Sequence, residues 1–353
     1  MSHFNMIADE QEIRWFFDHA VFNPTPWEAY ALILVHRRKK LSPEDRIRFG
    51  LSSSESAFLV REVIRAPKFK NNKKSYYDNL SKQVSNKLFN HDFENIDKLV
   101  NECKVHSEED IEEKKNFANP LTADKFIKHV KKLNVDKEAY AAPNGDLIPD
   151  NSMVVMFYIN PSDLRHAAYM VEEELSTIKE NIVGAMTTGK RNSEIIEQYQ
   201  AFGNIFEDWV KYMTQCRGSS YWLDFDIDVP DWMKEGEYFK ELKNIFTTSF
   251  GRGNFIMIST GGGYHVMVRT FAIRDVLKGD PHKVSELVRN LYEKGIAYGN
   301  PKYINEKGEE KFECVIVGEA KSESSKSTIP CVPLPGTYQY CRPVIVVNKE
   351  DFE

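Results

Sequence analysis

The chain has 353 residues, 41% of them hydrophobic, and a formal net charge of −6. That length suits one large domain or two ordinary ones with a real core. No apolar run of about 18 residues occurs, so no membrane span is expected, and the negative balance excludes a surface coated throughout for nucleic acid. The cysteines, Cys103, Cys216, Cys314, Cys331 and Cys341, include no Cys-x-x-Cys pair. A disulfide framework is therefore not expected, and a reducing cytoplasm is the expected compartment. The opening residues lack the basic start and apolar core of a signal peptide.

In chain order, Ile13, Phe16, Phe17, Ala20 and Val21 predict an amphipathic helix over 10–22, stopped by Asn23-Pro24-Thr25-Pro26. Residues 29–36 are a short apolar run that periodicity assigns equally to a buried strand or a helix. A basic run follows at 37–40. Residues 50–140 read as polar helices and loops. Within them, 61–87 carry Arg61, Arg65, Lys68, Lys70, Lys73 and Lys74 with Tyr76 and Tyr77 interleaved. Cations with aromatics suit a single-stranded template, one contacting phosphates and the other stacking on bases; a solvated basic face has the same composition. Cys103-x-x-His106 is the only local hint of zinc, and the acidic run at 107–115 reads as a solvated helix start. A buried strand is predicted at 153–159, then an Asn160-Pro161 turn, a helix to about 178 and another over 201–214.

Residues 221–228 read Tyr-Trp-Leu-Asp-Phe-Asp-Ile-Asp. Strand alternation puts Asp224, Asp226 and Asp228 on one face and Tyr221, Leu223, Phe225 and Ile227 on the other. Like charges along one face oppose folding unless a cation sits between them, and a divalent metal is the natural candidate. A helix follows at 235–248. Residues 254–270 then form a hairpin signature, with two apolar runs around Ser259-Thr260-Gly261-Gly262-Gly263 and His265 opening the second strand. Glycines beside a hydroxyl suit an anion cradle, and His265 could donate to a phosphate. No Gly-Lys-Ser/Thr follows, and a strand rather than a helix comes next, which excludes a Walker A loop and a dinucleotide fingerprint. Asp280-Pro281 starts a helix ended by Gly295. Strands are expected at 311–317, 329–333 and 343–347, the last two flanking Leu334-Pro335-Gly336-Thr337 and a turn bearing Arg342. From 219 onward the pattern is a sheet backed by helices, with no internal repeat.

In this order the three motifs resemble those of the archaeo-eukaryotic primase superfamily, which includes primase small subunits, primase-polymerases and end-joining polymerase domains. Phe225-Asp226-Ile227-Asp228 matches the family's first motif, with Asp224-Phe225-Asp226 a second possible register. Ser259 to His265 matches its Ser-(x)5-His, and Leu334-Pro335-Gly336-Thr337 with Arg342 its third segment. Pro333 stands where the family usually has Arg, and Ser327 where it has a third acid, with Glu319 and Glu323 upstream.

The resemblance implies an α+β fold: an RNA-recognition-like mixed sheet backed by helices over 219–353, behind a helix-rich α/β module over 1–218. It implies metal-dependent, template-directed nucleotidyl transfer, making primers on single-stranded DNA from nucleoside triphosphates. Asp226 and Asp228 would hold Mg²⁺ or Mn²⁺. Asp224 would be a further ligand, a group behind the ligands, or a solvated carboxylate; Glu319 or Glu323 is the candidate third acid. Ser259, Gly261, Gly262, Gly263, His265 and Arg342 would hold the triphosphate, and Lys68, Lys70, Lys73 and Lys74 the template. No helicase motif is present, so unwinding would fall to a separate replicative helicase. A gap-filling or end-processing polymerase, and a single-strand-binding relative without catalysis, are the alternative readings.

Overall fold

The computed structural model describes residues 3–25, 27–38, 41–49, 56–65, 121–142, 144–187, 212–213, 215–216, 218–228, 237–277, 286, 303–304, 310–311, 314–317 and 330–352. The chain forms two compact units, residues 1–65 with 122–353, and residues 66–121. Every helix and strand described belongs to the first. Lys68, Lys70, Lys73, Lys74, Cys103, His106, Glu319, Glu323, Ser327 and the side chain of Asp228 lie outside the described residues.

Helix α1 (Glu10–Ala20) forms where Ile13, Phe16, Phe17 and Ala20 recur at helical spacing, and Asp9 caps it by accepting from the Gln11 N–H at 2.8 Å. Strand β1 (Glu28–Arg37), helix α2 (Pro43–Arg48), strand β2 (Ser56–Arg65), helix α3 (Ala123–Lys131), strands β3 (Met153–Tyr158) and β4 (Ser162–Asp163) and helix α4 (Leu164–Thr187) follow. Next come β5 (Trp222–Asp228), α5 (Glu237–Phe250), the hairpin β6 (Phe255–Ser259) and β7 (Gly263–Arg269), and α6 (Thr270–Leu277). The remaining strands are β8 (Tyr303–Ile304), β9 (Glu310–Lys311), β10 (Cys314–Val317), β11 (Cys331–Pro333), β12 (Tyr338–Gln339), β13 (Arg342–Pro343) and β14 (Ile345–Val346).

The class is α+β, with antiparallel sheets and helices packed against them. One sheet runs β13-β12-β3-β1-β2, with β11 also on β3 and β4 also on β1. The other runs β10-β5-β7-β6-β14, and β8 pairs with β9 alone. The ambiguous run at 29–36 is strand β1. It is central, paired on both edges and buried on both faces, which is why it lacks a polar alternation. The expectation of helices and loops over 50–140 fails at β2, whose register against β1 spans the full strand. Its charged positions, Arg61 and Glu62, obscure the strand pattern in the sequence. The expected closing strand at 343–347 is two strands instead: β13 belongs to the first sheet and β14 to the second. The C-terminal segment thus crosses the 218/219 division expected from the sequence.

One face of the first sheet, with Tyr30, Leu32 and Phe157, packs beneath α1 and α3. Phe157 meets Phe16 and Phe126 edge-on at 5.9 and 5.5 Å. The opposite face gathers Ala31, Ile33, Val35, Val154, Met156 and Tyr158. In the second sheet, Phe225, Ile227, Tyr264 and Val266 pack against Leu242 and Phe246 of α5 and Ala272 and Ile273 of α6. Tyr264 is therefore a core residue on the helix side and does not reach the carboxylate face. No helix among the described residues is long and apolar enough to cross a membrane.

The two sheets are tied by buried polar side chains. Asn160, at the end of β3, accepts from the Tyr221 and Trp222 N–H groups at 2.8 and 2.9 Å and donates to the Trp222 carbonyl at 2.8 Å. The Trp222 indole donates to the Ala20 carbonyl at the end of α1. Glu12 accepts from the Val346 N–H and pairs with Lys349, and Asn348 bonds both Met257 and Phe255 of β6. Asn160→Ala would strand three buried backbone groups, so a loss of about 3 kcal/mol is expected, read as a lowered urea midpoint.

His36 lies in phase with Leu32 and Leu34, fully buried against Phe49, with Nε2 unpartnered. Burial lowers its pKa from 6.5 to about 4. A depressed histidine keeps its contribution above pH 6.5 and loses it as pH falls toward 4, because the unfolded chain takes the proton first. His36→Leu should flatten that acid-side decline, measured as the urea midpoint at pH 7 and at pH 5.

Candidate active site

Strand β5 carries Asp224 and Asp226 on the face opposite Phe225 and Ile227, as its alternation requires. Across the ladder, Asp226 pairs in register with His265 and Asp224 with Met267. The imidazole leans between the carboxylates. Its Nδ1 bonds Asp224 Oδ2 at 2.8 Å, and its Nε2 stands 3.6 Å from Asp226 Oδ1, beyond hydrogen-bond length. The Asp224 side chain is fully buried, His265 nearly so, and the Asp226 side chain is 42% exposed. The pair therefore divides into a buried acid behind and a solvent-facing acid in front.

Burial alone would lower the His265 pKa. The Asp224 charge and hydrogen bond, with Asp226 beyond, outweigh it and raise the value to about 9. An imidazolium at neutral pH balances the buried carboxylate. Its stabilising contribution is complete below pH 6.5 and is lost as pH rises through about 9.

The first sheet adds two groups the motif reading did not single out. Arg37, at the end of β1, opposes the protonation of His265. Burial, followed by the Asp224 charge, pushes the Cys331 thiol up to about 12, with Asp226 adding to the shift and Arg37 opposing it. The charges of Asp224 and Asp226 are thus felt on the other sheet as well as on their own. In the sequence Arg37 is one member of a basic run and Cys331 one of several scattered cysteines. The available signal was alternation, because Arg37 is in phase with the apolar Ala31, Ile33 and Val35.

The glycine turn differs from a free anion cradle. Gly261 N–H donates to Gln339 Oε1 at 2.8 Å, and the Gly262 and Gly263 N–H groups both donate to the Thr260 hydroxyl. Thr260, rather than Ser259, organises the turn. Ser259 is in phase with Phe255 and Met257, on the face away from His265. A Cβ at Gly261 would come within 3.1 Å of the Tyr340 ring, so glycine is needed there for close approach rather than for φ. The Leu334–Thr337 segment is buried beneath the start of α1. Gly336, at φ 81, accepts from the Ala8 and Asp9 N–H groups, and a Cβ there would lie 2.4 Å from the Asp9 carbonyl.

Beyond that segment, Tyr340 and Cys341 form the two-residue turn between β12 and β13 with φ 53 and 62. Left-handed backbone at two successive non-glycine residues is costly and concentrates at functional sites. The turn borders a cavity of about 200 Å³ lined by Asn151, Gly261, Tyr340 and Arg342. Arg342 and the glycine turn, distant in sequence, therefore share one cavity. Asp224, Asp226 and His265 form the neighbouring cluster along β5 and β7.

Among the described residues no three His, Cys, Asp or Glu side chains converge as a metal-ligand set. The donor chemistry still suits a hard cation. Asp224 Oδ1 is buried without a hydrogen-bond partner, and the Asp226 side chain is partly exposed. Comparison with protein-family models, curated proteins and solved structures found no match to this chain.

In the metal-free protein, Asp224→Asn should lower the His265 pKa by about 1–3 pH units. Imidazole NMR shifts followed through the titration would measure it, and an unchanged midpoint would remove Asp224 as the source of the shift.

Proposed function

We propose that this chain is a nucleotidyltransferase of the archaeo-eukaryotic primase type, a primase or primase-polymerase working on a single-stranded DNA template. One observation carries the reading: two in-phase carboxylates on one strand share one imidazole, and a basic residue of the other sheet, Arg37, acts on that imidazole through its charge. The order of the motifs supports it, as does the cavity that joins Arg342 to the glycine turn.

Asp226 and Asp228 would hold Mg²⁺ or Mn²⁺, with Asp224 behind them. The bound metal would supply Lewis-acid activation of a 3′-hydroxyl and stabilise charge on the leaving pyrophosphate. Asp224 keeps His265 protonated and oriented, so that its Nε2 proton points toward Asp226. There it can donate to a phosphate oxygen as a cation. Arg37 adds a fixed positive charge from the other sheet. Arg342, which lines the cavity beside Gly261, would bind the phosphates of a nucleoside triphosphate. The glycine turn acts through shape, since its N–H groups are held by Thr260 and Gln339.

Primer synthesis on circular single-stranded DNA, with labelled nucleoside triphosphates and Mg²⁺ or Mn²⁺, tests the reading. Short products are expected, and Asp226→Ala/Asp228→Ala should abolish them while single-strand binding persists. Extension of a supplied primer without new primers would make the chain a gap-filling polymerase. Full activity in the double variant would overturn the metal assignment.

A further inference from the structure

Two register positions along β5 and β7 from His265, the same sheet face carries a feature the carboxylate site does not use. Arg269 pairs with Trp222, roughly 13 Å along the strand from Asp226. Its guanidinium lies 5.4 Å from the Trp222 ring, 5.8 Å from Phe271 and 5.9 Å from Phe22. Among the described residues it forms no ion pair, and its buried Nε has no hydrogen-bond partner. Burial pushes its pKa below the usual arginine value. An arginine half withdrawn from water, with no counter-charge among the described residues, is a costly arrangement unless an anion completes it.

The surroundings indicate which kind of anion. Phe271, the second residue of α6, is 49% exposed. Phe22 and Tyr221 stack at 4.3 Å with rings 26° apart, and both are half-buried. Flat aromatic faces beside a half-buried guanidinium match a nucleotide unit of a single strand, whose base stacks while its phosphodiester pairs with the arginine. A carboxylate peptide would use the cation but not the open ring.

We propose that Arg269 and Phe271, backed by the Phe22–Tyr221 stack, bind a single-stranded nucleic acid at a point separate from the carboxylate centre. The proposal rests on the nucleic-acid reading above. It gives that strand a second contact, where Arg269 holds a phosphodiester and Phe271 stacks on a base.

The test is fluorescence anisotropy of a labelled oligothymidylate with the full chain across a salt series. Arg269→Gln should weaken binding several-fold and reduce the steepness of log K against log salt by about 0.7, the value for one phosphate contact on a single strand. Arg269→Lys should restore the slope. Phe271→Ala should weaken binding roughly tenfold without changing the slope. Because Phe271 is exposed, that variant keeps the test open if Arg269→Gln fails to fold, which its melting temperature reports. Wild-type binding with unchanged affinity and slope in the folded variants would overturn the Arg269 site alone. Absence of oligonucleotide binding by the wild type would overturn it together with the functional reading.

Discussion

The arrangement of the two sheets depends on Asn160. This one buried amide satisfies three backbone groups at the entry to β5, where the neighbouring strand β10 pairs only from Asp224 onward. Each would otherwise be buried without a partner. By fixing where β5 begins, Asn160 also fixes where Trp222 enters the interior and which face of the strand looks toward β1. The Asp224 and Asp226 charges then act on Cys331 of the other sheet, and Arg37 acts on His265. The Trp222 bond to Ala20 and the Glu12 bond to Val346 draw α1 and the C-terminal strand onto the same framework.

Within that frame the central electrostatic problem is a fully buried Asp224. Two carboxylates on one strand face would repel if both were charged and unpaired. The imidazolium of His265 resolves this for Asp224 and leaves Asp226 turned to solvent. The result is a graded pair, one acid buried and paired within the protein and one partly exposed. Arg37 opposes the protonation of His265, yet the carboxylates still dominate. A cation bound at Asp226 would act in the same sense as Arg37.

A second constraint lies in the backbone. Tyr340 and Cys341 occupy the left-handed region in succession, where a hairpin turn ordinarily uses asparagine and glycine. The neighbouring structure holds them there. Tyr340 is buried against Gly261, and Gln339 bonds the Gly261 N–H. The glycine turn of one sheet and the Tyr340 turn of the other thus brace each other. That contact is what brings Arg342 to the cavity beside Gly261.

What the sequence alone determined is local and periodic. Alternation over 222–228 placed Asp224 and Asp226 on one face, and the apolar runs around Ser259–Gly263 specified the β6–β7 hairpin. Ile13, Phe16, Phe17 and Ala20 specified α1. These follow from repeats of about 2 and 3.6 residues that need no partner to be read. Where periodicity is lost, the sequence is silent: β1 is buried on both faces and reads as either element, and β2 is disguised by its charges. Only tertiary structure decided that 342–346 divides between two sheets, and that Thr260 and Gln339 occupy the glycine N–H groups. It also decided that Ser259 faces away from His265, and that Arg37, Cys331 and Arg269 flank the carboxylate face. Each of these depends on contacts between segments far apart in the chain, and such contacts leave no repeat in the sequence.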